Sequence, residues 1–434
     1  MCGIFCAEEE PFGREYVAAR LHAMGYRGPD SSHTLKRGAM VMGLARLAIV
    51  DTFAPEAQQP HLSAKENVTV FNGEVYNYRA LDSSAKSEVA LIGAMLDEGL
   101  DVRQFFDGDY AIANFNPSTS ILSLFRDRFG VVPLYYQTRP RVEVSSEARR
   151  LKNPREVPAH GRVVIDVRKR QVLRKDTLPL YGATEDLILL PAALQALMRA
   201  SASRALHSDT GFSVALSGGL DSSLVLLALH AQGIAPRECL VTYFSPFSDD
   251  LHAARALADK LKVQLREIAI PPPSQLRESG EAEQVIEHLD SRPRPSAMRY
   301  RGALRSWFVA KHASSRVVLG GDGGDELLGG YPCHHPDRFG LKRYRVAAKR
   351  LSTLRSMQHF NLDRTNKMGM AHSTEFRSPL LASTLSQVLL SAYWTPGKDL
   401  LRQLARHLGA PVEVHRRESK YSPDELAVDE VPSA

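Results

Sequence analysis

The sequence predicts an α/β protein of two domains, a layered β-rich domain followed by a doubly wound parallel-sheet domain. Up to about residue 168, short runs rich in β-branched and aromatic residues alternate with Gly, Pro, Asn and Asp turns. From residue 191 onward, short apolar strands alternate with helical patterns, which is typical of βαβ units around a parallel sheet. A length of 434 residues is enough for two such domains.

The individual elements follow from these patterns. The first domain has predicted strands at Met40–Asp51, Val68–Phe71, Tyr110–Phe115, Ile121–Arg126 and Val131–Tyr136. A polar stretch at about 169–190 predicts a linker and a helix start. The second domain has predicted strands at Phe212–Leu216, Cys239–Phe244, Leu265–Ile270 and Val317–Leu319, with helices from Ser222 and Asp250 and a mostly helical remainder from about 340. We expect the ligand at the carboxyl ends of these parallel strands.

Composition excludes several classes of protein. Hydrophobic residues make up 44% and charged residues 24% of the chain, which disfavours bulk disorder and fibrous repeats. No stretch has the roughly 18 apolar residues that a membrane span needs, and the start of the chain does not resemble a signal peptide, so we expect a cytoplasmic protein. The four cysteines lack the spacing of a disulfide framework or a zinc site.

The net charge of +6 suits anionic small molecules or weak nucleic-acid contact. The basic stretch 338–350 has no accompanying aromatic stacking platform, and a basic helix is more often a solvated surface. We therefore do not expect nucleic acid as a partner.

Cys2 is the first candidate for chemistry. Once the initiator methionine is removed, its thiol and a free α-amine share one carbon, and an amine with a pKa near 8 can act as the base for the thiol. Its position alone would predict a buried structural cysteine. Whether Cys2 is a nucleophile therefore depends on the other segments of the domain.

Three further segments join Met1-Cys2-Gly3-Ile4-Phe5: Tyr26-Arg27-Gly28-Pro29-Asp30, Arg46-Leu47-Ala48-Ile49-Val50-Asp51 and Phe71-Asn72-Gly73-Glu74. In this order they resemble the glutaminase domain of the class II, N-terminal-nucleophile amidotransferases. The resemblance implies an αββα layered sandwich over residues 1–168. It also implies that Cys2 attacks the glutamine side-chain amide, that Arg46 binds the α-carboxylate, and that Asn72 and Gly73 form the oxyanion hole. The implied glutamine-binding set is Arg46, Ile49, Val50, Asn72, Gly73 and Glu74.

One position departs from that family. Its members carry an Asp that binds the α-ammonium of glutamine, and Lys86 stands where that Asp is expected, in Ala85-Lys86-Ser87-Glu88-Val89. Reversing this charge would cost about 2–8 kcal/mol of glutamine binding. Either Glu88 or Asp82 receives the ammonium in a rebuilt loop, or ammonia comes from solution.

The second domain carries Ser217-Gly218-Gly219-Leu220-Asp221-Ser222-Ser223 between a predicted strand and a predicted helix. Such a turn directs backbone N–H groups and the positive end of a helix at a phosphate. The segment resembles the pyrophosphate loop of enzymes that split ATP into AMP and pyrophosphate. It differs from a Walker loop, which needs Gly-Lys-Ser or Gly-Lys-Thr.

A second cluster, Gly320-Gly321-Asp322-Gly323-Gly324-Asp325-Glu326, sets three carboxylates among glycines. Closely set carboxylates repel unless a cation lies between them, and with ATP that cation is expected to be Mg²⁺.

Both clusters behind a glutaminase resemble the asparagine synthetase family, which implies an adenylating, ATP-pyrophosphatase-type domain over residues 185–434. The implied ATP-binding residues are Leu216, Ser217, Gly218, Gly219, Asp221, Ser222, Tyr243, Gly320 and Gly321. Asp322 matches an acid tied to acyl-adenylate formation, and Asp221 and Asp325 match the Mg²⁺ ligands. Glu418 occupies the position where the family carries a phosphate-binding lysine. Lys420 is therefore the candidate to take the role of that lysine.

The resemblance implies an ATP- and Mg²⁺-dependent ligase that transfers glutamine-derived ammonia to aspartate. Two alternatives stay open. One is an enzyme of secondary metabolism that amidates another carboxylate or forms a lactam, and the other is a non-catalytic regulatory homologue. The intact Ser217–Ser223 and Asp322–Glu326 segments count against the second alternative. A homodimer is implied by the family alone.

Overall fold

The computed structural model describes residues 1–9, 13–180, 190–290, 295–331, 343–391 and 398–416. The chain divides into two compact units, Met1–Leu180 and Tyr181–Ala434. Within the described ranges, no helix combines the length and the hydropathy that crossing a membrane requires.

The first unit contains two six-stranded antiparallel sheets. Their strand orders are β10-β8-β9-β1-β3-β2 and β12-β11-β7-β6-β5-β4. The strands are β1 (Gly3–Glu8), β2 (Ser31–Arg37), β3 (Met40–Arg46), β4 (His61–Leu62), β5 (Val68–Val75), β6 (Gly108–Asn116), β7 (Ile121–Arg126), β8 (Tyr135–Gln137), β9 (Glu143–Ser145), β10 (Arg155–Glu156), β11 (Gly161–Asp166) and β12 (Gln171–Thr177). The helices are α1 (Gly13–His22), α2 (Tyr78–Leu81) and α3 (Glu88–Asp97).

The sheets lie face to face and each outer face is covered by a helix. Strands β1 and β3 contact β5 of the other sheet, α1 packs on β1, β2 and β3, and α3 packs on β5. Phe5, Val17 and Leu21 fill the layer under α1, and Phe71 and Ile92 fill the layer under α3. This is the αββα order expected from the sequence, and both faces of β1 are therefore buried.

Two predicted strands are shorter than expected. Strand β3 ends at Arg46 because the chain then folds back, and the Arg46 guanidinium donates to the carbonyl oxygens of Val50 at 3.3 Å and Asp51 at 2.9 Å. The predicted strand from Val131 begins only at Tyr135, since the Val131 N–H donates 2.9 Å to the Asp127 carboxylate and cannot join a ladder.

The stretch interpreted as a linker contains strand β12. Its residues are mostly polar and mostly exposed, because β12 is an edge strand that pairs only with β11. Such a strand shows neither the alternation nor the apolar run that predicts strands.

The second unit contains a five-stranded parallel sheet in the order β15-β14-β13-β16-β17. The strands are β13 (Ser213–Ala215), β14 (Cys239–Tyr243), β15 (Leu265–Ala269), β16 (Val317–Leu319) and β17 (Glu375–Arg377). The helices are α4 (Leu190–Leu206), α5 (Leu220–His230), α6 (Asp249–Leu261), α7 (Pro273–Glu278), α8 (Glu281–Leu289), α9 (Ala297–His312), α10 (Gly324–Leu328), α11 (Arg343–Ser356), α12 (Asn361–Met370), α13 (Ser383–Ser391), α14 (Asp399–His407) and α15 (Val412–Arg416).

The strand order of this sheet positions the candidate site. The chain proceeds from β13 outward through β14 to β15, and then returns to the other side of β13 with β16 and β17. The order therefore reverses between β13 and β16, and open α/β sheets bind ligands at such a switch point. Both glycine-rich segments singled out in the sequence directly follow these two strands. The parallel sheet confirms the predicted doubly wound fold, and ligand binding at this edge stays a prediction.

Candidate active sites

Cys2 lies at the start of β1 in the first unit and is 8% exposed. Its Sγ accepts a hydrogen bond from the Leu47 N–H at 3.4 Å, and its backbone nitrogen donates to Asn72 Oδ1 at 2.5 Å. The Leu47 N–H thereby fixes the position of the sulfur at the start of β1. The thiol, the nitrogen that would be its base and the Asn72 amide are thus in one place.

The backbone carbonyl of Cys2 is bound by one of a pair of oppositely charged side chains. The Arg27 Nε donates 3.2 Å to the Cys2 carbonyl oxygen, and Arg27 lies 3.8 Å from the Glu147 carboxylate. Burial alone would raise the pKa of Glu147, but Arg27 and Arg149 outweigh burial and hold this pKa below its usual value. Glu147 therefore stays ionised and keeps the Arg27 guanidinium in position.

A cavity opens in front of the Cys2 thiol. It is lined by the Arg46–Asp51 segment, by Phe71, Gly73 and Glu74 of β5, and by the first residues of α3. Cys2, Arg46, Ile49, Val50, Gly73 and Glu74, all predicted from the sequence, lie on its wall. Asn72 is fully buried and reaches Cys2 from β5, a strand of the facing sheet.

Gly73 is required by geometry. Its φ is +123°, and a Cβ built on it would lie 1.9 Å from the Asp109 carbonyl oxygen. No other residue fits this close approach of β5 to β6. Gly73 thereby brings the backbone of β5 to the cavity wall at the reacting end of the site.

The loop around Lys86 differs from the sequence expectation. The Lys86 side chain is 74% exposed, its Nζ lies 3.7 Å from Glu56, and the described residues that line the cavity do not include it. Of its two proposed replacements, Asp82 bonds to Ser84 outside the cavity wall, whereas Glu88 lines the cavity. Asp51 also lines it, and sequence analysis missed Asp51 because that residue was interpreted as the end of a strand.

The first loop of the second unit follows β13 and leads into α5. The Ser217 N–H donates 3.1 Å to Ser222 Oγ, and the two hydroxyl oxygens are 3.0 Å apart, which closes the loop on itself. Gly218 has a φ of +72°, and its Cβ position lies 2.0 Å from the Asp250 carbonyl oxygen. The turn thus has the form of a phosphate cradle at the N-terminus of an 11-residue helix.

The second loop packs directly against the first. A Cβ on Gly321 would lie 2.5 Å from the Ser222 nitrogen, and one on Gly324 would lie 2.5 Å from the carboxylate carbon of Asp221. Only glycine at these positions lets the two loops touch. Asp221 and Asp325, separated by about a hundred residues in the sequence, are thereby brought to one point.

A lysine that the sequence did not single out occupies that point. Lys398 Nζ lies 2.6 Å from Asp221 Oδ2 and 2.6 Å from Asp325 Oδ1, and its side chain is 13% exposed. Burial alone would lower the pKa of Lys398, but the two carboxylates outweigh it and raise this pKa above its usual value. Lys398 adopts left-handed backbone angles just before α14, where Gly or Asn is the usual residue.

The remaining predicted residues lie around this cluster. Leu216 is buried and joins β13 to the first loop, and Tyr243 ends β14 on the same edge of the sheet. Asp322 accepts a 3.3 Å hydrogen bond from Thr365 on one carboxylate oxygen, and the Ser378 hydroxyl bonds its backbone carbonyl. Gly320 donates from its backbone to the Arg377 carbonyl oxygen at 2.8 Å.

Lys420 and Glu418 lie outside the described residues. The only local feature of Lys398 in the sequence is its position directly after a glycine and before an amphipathic helix. This pattern is too common to indicate a functional lysine by itself.

Comparisons with known proteins cover both units. The family described as "Glutamine amidotransferase domain" matches residues 1–178, and the family described as "Asparagine synthase" matches residues 193–353 and 342–428. The probable glutamine-hydrolyzing asparagine synthetase of Dictyostelium discoideum is 27% identical, over 90% of this chain and 76% of its own. Asparagine synthetase B of Escherichia coli K12 is also 27% identical, over 82% and 68%. The enzyme of Asparagus officinalis is 26% identical, over 90% and 69%.

Proposed function

This chain belongs to the asparagine synthase family, and we propose that it transfers ammonia from glutamine to a carboxylate that ATP has activated. The membership confirms the resemblance drawn from the sequence motifs. The observation that carries the proposal is the presence of both halves of the chemistry: a cysteine facing a cavity with a guanidinium in the first unit, and two packed phosphate-type loops in the second. Aspartate is the first acceptor to test, because the relatives described above are named asparagine synthetases.

In the proposed first half-reaction, the Cys2 thiolate attacks the side-chain amide carbon of glutamine. The negative oxygen that develops is stabilised by the Gly73 N–H and the Asn72 amide, a contribution of about 2.7–4 kcal/mol per donor. The nitrogen leaves as ammonia, and water then hydrolyses the thioester to glutamate. Arg46 is the cation for the α-carboxylate, since it lies on the wall of the same cavity.

In the proposed second half-reaction, a carboxylate oxygen of the acceptor attacks the α-phosphorus of ATP and pyrophosphate leaves. Ammonia then attacks the carbonyl carbon of the acyl-adenylate, and AMP leaves. The Ser217–Ser222 loop supports this proposal because its hydroxyls and the α5 N-terminus are natural phosphate ligands. Asp322 is proposed to act at the adenylation step, and Leu216, Tyr243, Gly320 and Gly321 to hold the nucleotide.

The donor set suits a hard divalent cation, because Asp221 and Asp325 present two carboxylate oxygens to one point, now held by the Lys398 ammonium. Mg²⁺ bound there would neutralise charge on the leaving pyrophosphate. Lys398 is the described lysine that we propose for the phosphates, in addition to the sequence-predicted Lys420. Its ammonium contacts both Asp221 and Asp325, the proposed Mg²⁺ ligands.

Replacing the nucleophile tests the division of labour between the units. The Cys2→Ala variant is expected to lose glutamine-dependent AMP formation while keeping AMP formation driven by ammonium chloride, because the synthetase unit does not need the thiol. Mass analysis of the intact wild-type protein should show that Met1 is removed. A Cys2→Ala variant that still uses glutamine would overturn the assignment of Cys2, and a wild type that forms no AMP with either nitrogen source would overturn the proposed synthetase.

A further inference from the structure

We infer that Thr365 is a positioning residue of the second unit, whose hydroxyl fixes the direction of the Asp322 carboxylate for acyl-adenylate formation. The inference rests on the proposed function, in which Asp322 acts at the adenylation step. It adds a residue of α12, outside both glycine-rich segments, to the groups on which that step depends.

Asp322 lies beside the place where the two loops of the second unit touch. It directly follows Gly321, whose Cβ position would be 2.5 Å from the Ser222 nitrogen in the first loop. Asp322 is half-buried, so neighbouring groups of the protein can contact its carboxylate. An aspartate side chain rotates about two bonds, and the direction of its carboxylate therefore depends on those groups.

The backbone of Asp322 is held by the chain that follows β17. The Ser378 hydroxyl donates to the Asp322 carbonyl oxygen. The next residue, Gly323, has a φ of +102°, and a Cβ on it would lie 2.5 Å from the Leu381 side chain. These contacts fix the position of the Asp322 backbone, but they leave the rotation of its side chain undetermined.

Thr365 makes the contact that sets this rotation. Its Oγ1 donates a hydrogen bond of 3.3 Å to Asp322 Oδ2. Thr365 is 6% exposed and lies inside the ten-residue helix α12, and a β-branched side chain has little freedom about χ1. Among the residues that the structure describes, no other donor contacts this carboxylate, so the Thr365 hydroxyl determines its direction.

The same face of α12 holds the other end of the second loop. Asn361 Nδ2 donates 2.6 Å to Glu326 Oε1 and 3.0 Å to Tyr331 Oη. Residues four apart lie on one face of a helix, so α12 presents two donors to two acids of this loop. Glu326 is 2% exposed and therefore enclosed by protein, whereas Asp322 is half-buried. We therefore expect the Thr365 contact, rather than the Asn361 contacts, to act on the chemistry.

The test measures AMP formation by the full chain with Mg-ATP, aspartate and ammonium chloride, a reaction that does not need the Cys2 thiol. Thr365→Val keeps the shape of the side chain but removes the donor, and Thr365→Ser keeps the hydroxyl. Thr374→Val is the matched control, because Thr374 is 4% exposed and its hydroxyl bonds backbone carbonyl oxygens instead of a carboxylate.

The expected result is a loss of turnover that follows the hydroxyl. Thr365→Val should lower kcat by about 10- to 100-fold with an unchanged KM for ATP, as the loss of one hydrogen bond to a charged group requires. Thr365→Ser should retain most of the wild-type kcat, and Thr374→Val should leave kcat unchanged.

A double-mutant cycle separates positioning from a structural role. In Asp322→Ala the carboxylate is absent, so adding Thr365→Val should not lower kcat further. A structural role of Thr365 would lower kcat equally with and without the carboxylate, because it would not act through Asp322.

Several results would overturn the inference while the proposed function stands. These are a wild-type kcat in Thr365→Val, an equal loss in Thr365→Ser or Thr374→Val, a raised KM for ATP at unchanged kcat, and a further loss of kcat in the double variant. A Thr365→Val variant that is merely unstable gives that further loss and so also counts against the inference. A wild type that forms no AMP is a different result, since it overturns the proposed synthetase and the inference with it.

Discussion

The Asp221–Lys398–Asp325 cluster predicts a specific response to removal of the lysine. Lys398→Met keeps the length and the apolar stem of the side chain but removes the cation shared by two largely buried carboxylates, which are 14% and 17% exposed. Removing one partner from a buried ion pair typically costs about 3–5 kcal/mol of folding free energy. We therefore expect the second unit to be destabilised by an amount in this range.

The geometry gives the same magnitude independently. Each carboxylate oxygen lies 2.6 Å from one nitrogen, so the two oxygens are at most about 5 Å apart. Two negative charges at that distance repel by about 3 kcal/mol at an effective dielectric constant of 20. For a unit of this size, a loss of 3–5 kcal/mol lowers Tm by roughly 10 °C.

The assay is thermal unfolding of the full chain by calorimetry, with and without Mg²⁺ and without nucleotide. Mg²⁺ should restore stability to Lys398→Met by about 2.7 kcal/mol at a hundred times its Kd. It should change the nucleotide-free wild type little, since without the phosphates of ATP to bind Lys398, its ammonium already lies between the two carboxylates. Lys262→Met is the matched control, because Lys262 also has left-handed backbone angles (φ 55°) but is exposed. A Lys398→Met variant as stable as the control, or a wild type stabilised equally by Mg²⁺, would refute this reasoning.

Three further predictions concern the first unit. Arg46→Met should raise KM for glutamine about 100-fold with little change in kcat, since it removes about 2.7 kcal/mol of charge-assisted binding, and a KM within threefold of wild type in steady-state ammonia release would contradict it. Gly73→Ala should abolish glutamine-dependent but not ammonium-dependent AMP formation, because its Cβ would collide with the Asp109 carbonyl oxygen, and retained glutamine use would contradict this. Burial, aided by neighbouring arginines, lowers the pKa of His160 to about 4, so the unfolded chain binds a proton between pH 4 and 6.5 that the folded chain does not. The free energy of unfolding should therefore rise with pH across that window. His160→Asn should reduce this rise by up to about 3 kcal/mol, measured by urea titration at pH 4.5 and pH 7. The same rise in both proteins would contradict a buried neutral imidazole at His160.

The sequence predicted the parts of each site that depend on local chain geometry. Gly73, Gly218 and Gly321 stand out in the motifs because close backbone approach allows no other residue, and the structure shows that approach at each of them. The strand–loop–helix context of Ser217–Ser222 was predictable for the same reason, since hydrophobic periodicity determines both flanking elements.

The parts that escaped prediction depend on tertiary packing. Lys398 reaches Asp221 only because α14 packs on α5, and nothing in the residues near Lys398 indicates that contact. Asp51 was assigned to a strand because its neighbours are apolar, but the Arg46 guanidinium folds the following segment back toward the cavity. In both cases the decisive contact is made by the end of a long charged side chain, and the neighbouring residues in the sequence do not indicate where that end lies.

In the proposed reaction, the amide nitrogen of glutamine is transferred to a carboxylate that ATP has activated. The most direct test is mass spectrometry of a reaction of the full chain with Mg-ATP, aspartate and amide-¹⁵N glutamine. We expect ¹⁵N-labelled amide product, glutamate and AMP in equal amounts, with labelled asparagine as the product if aspartate is the acceptor. Glutamate and AMP formed without label in any amide product, or no AMP even with added ammonium and a panel of carboxylates, would contradict it.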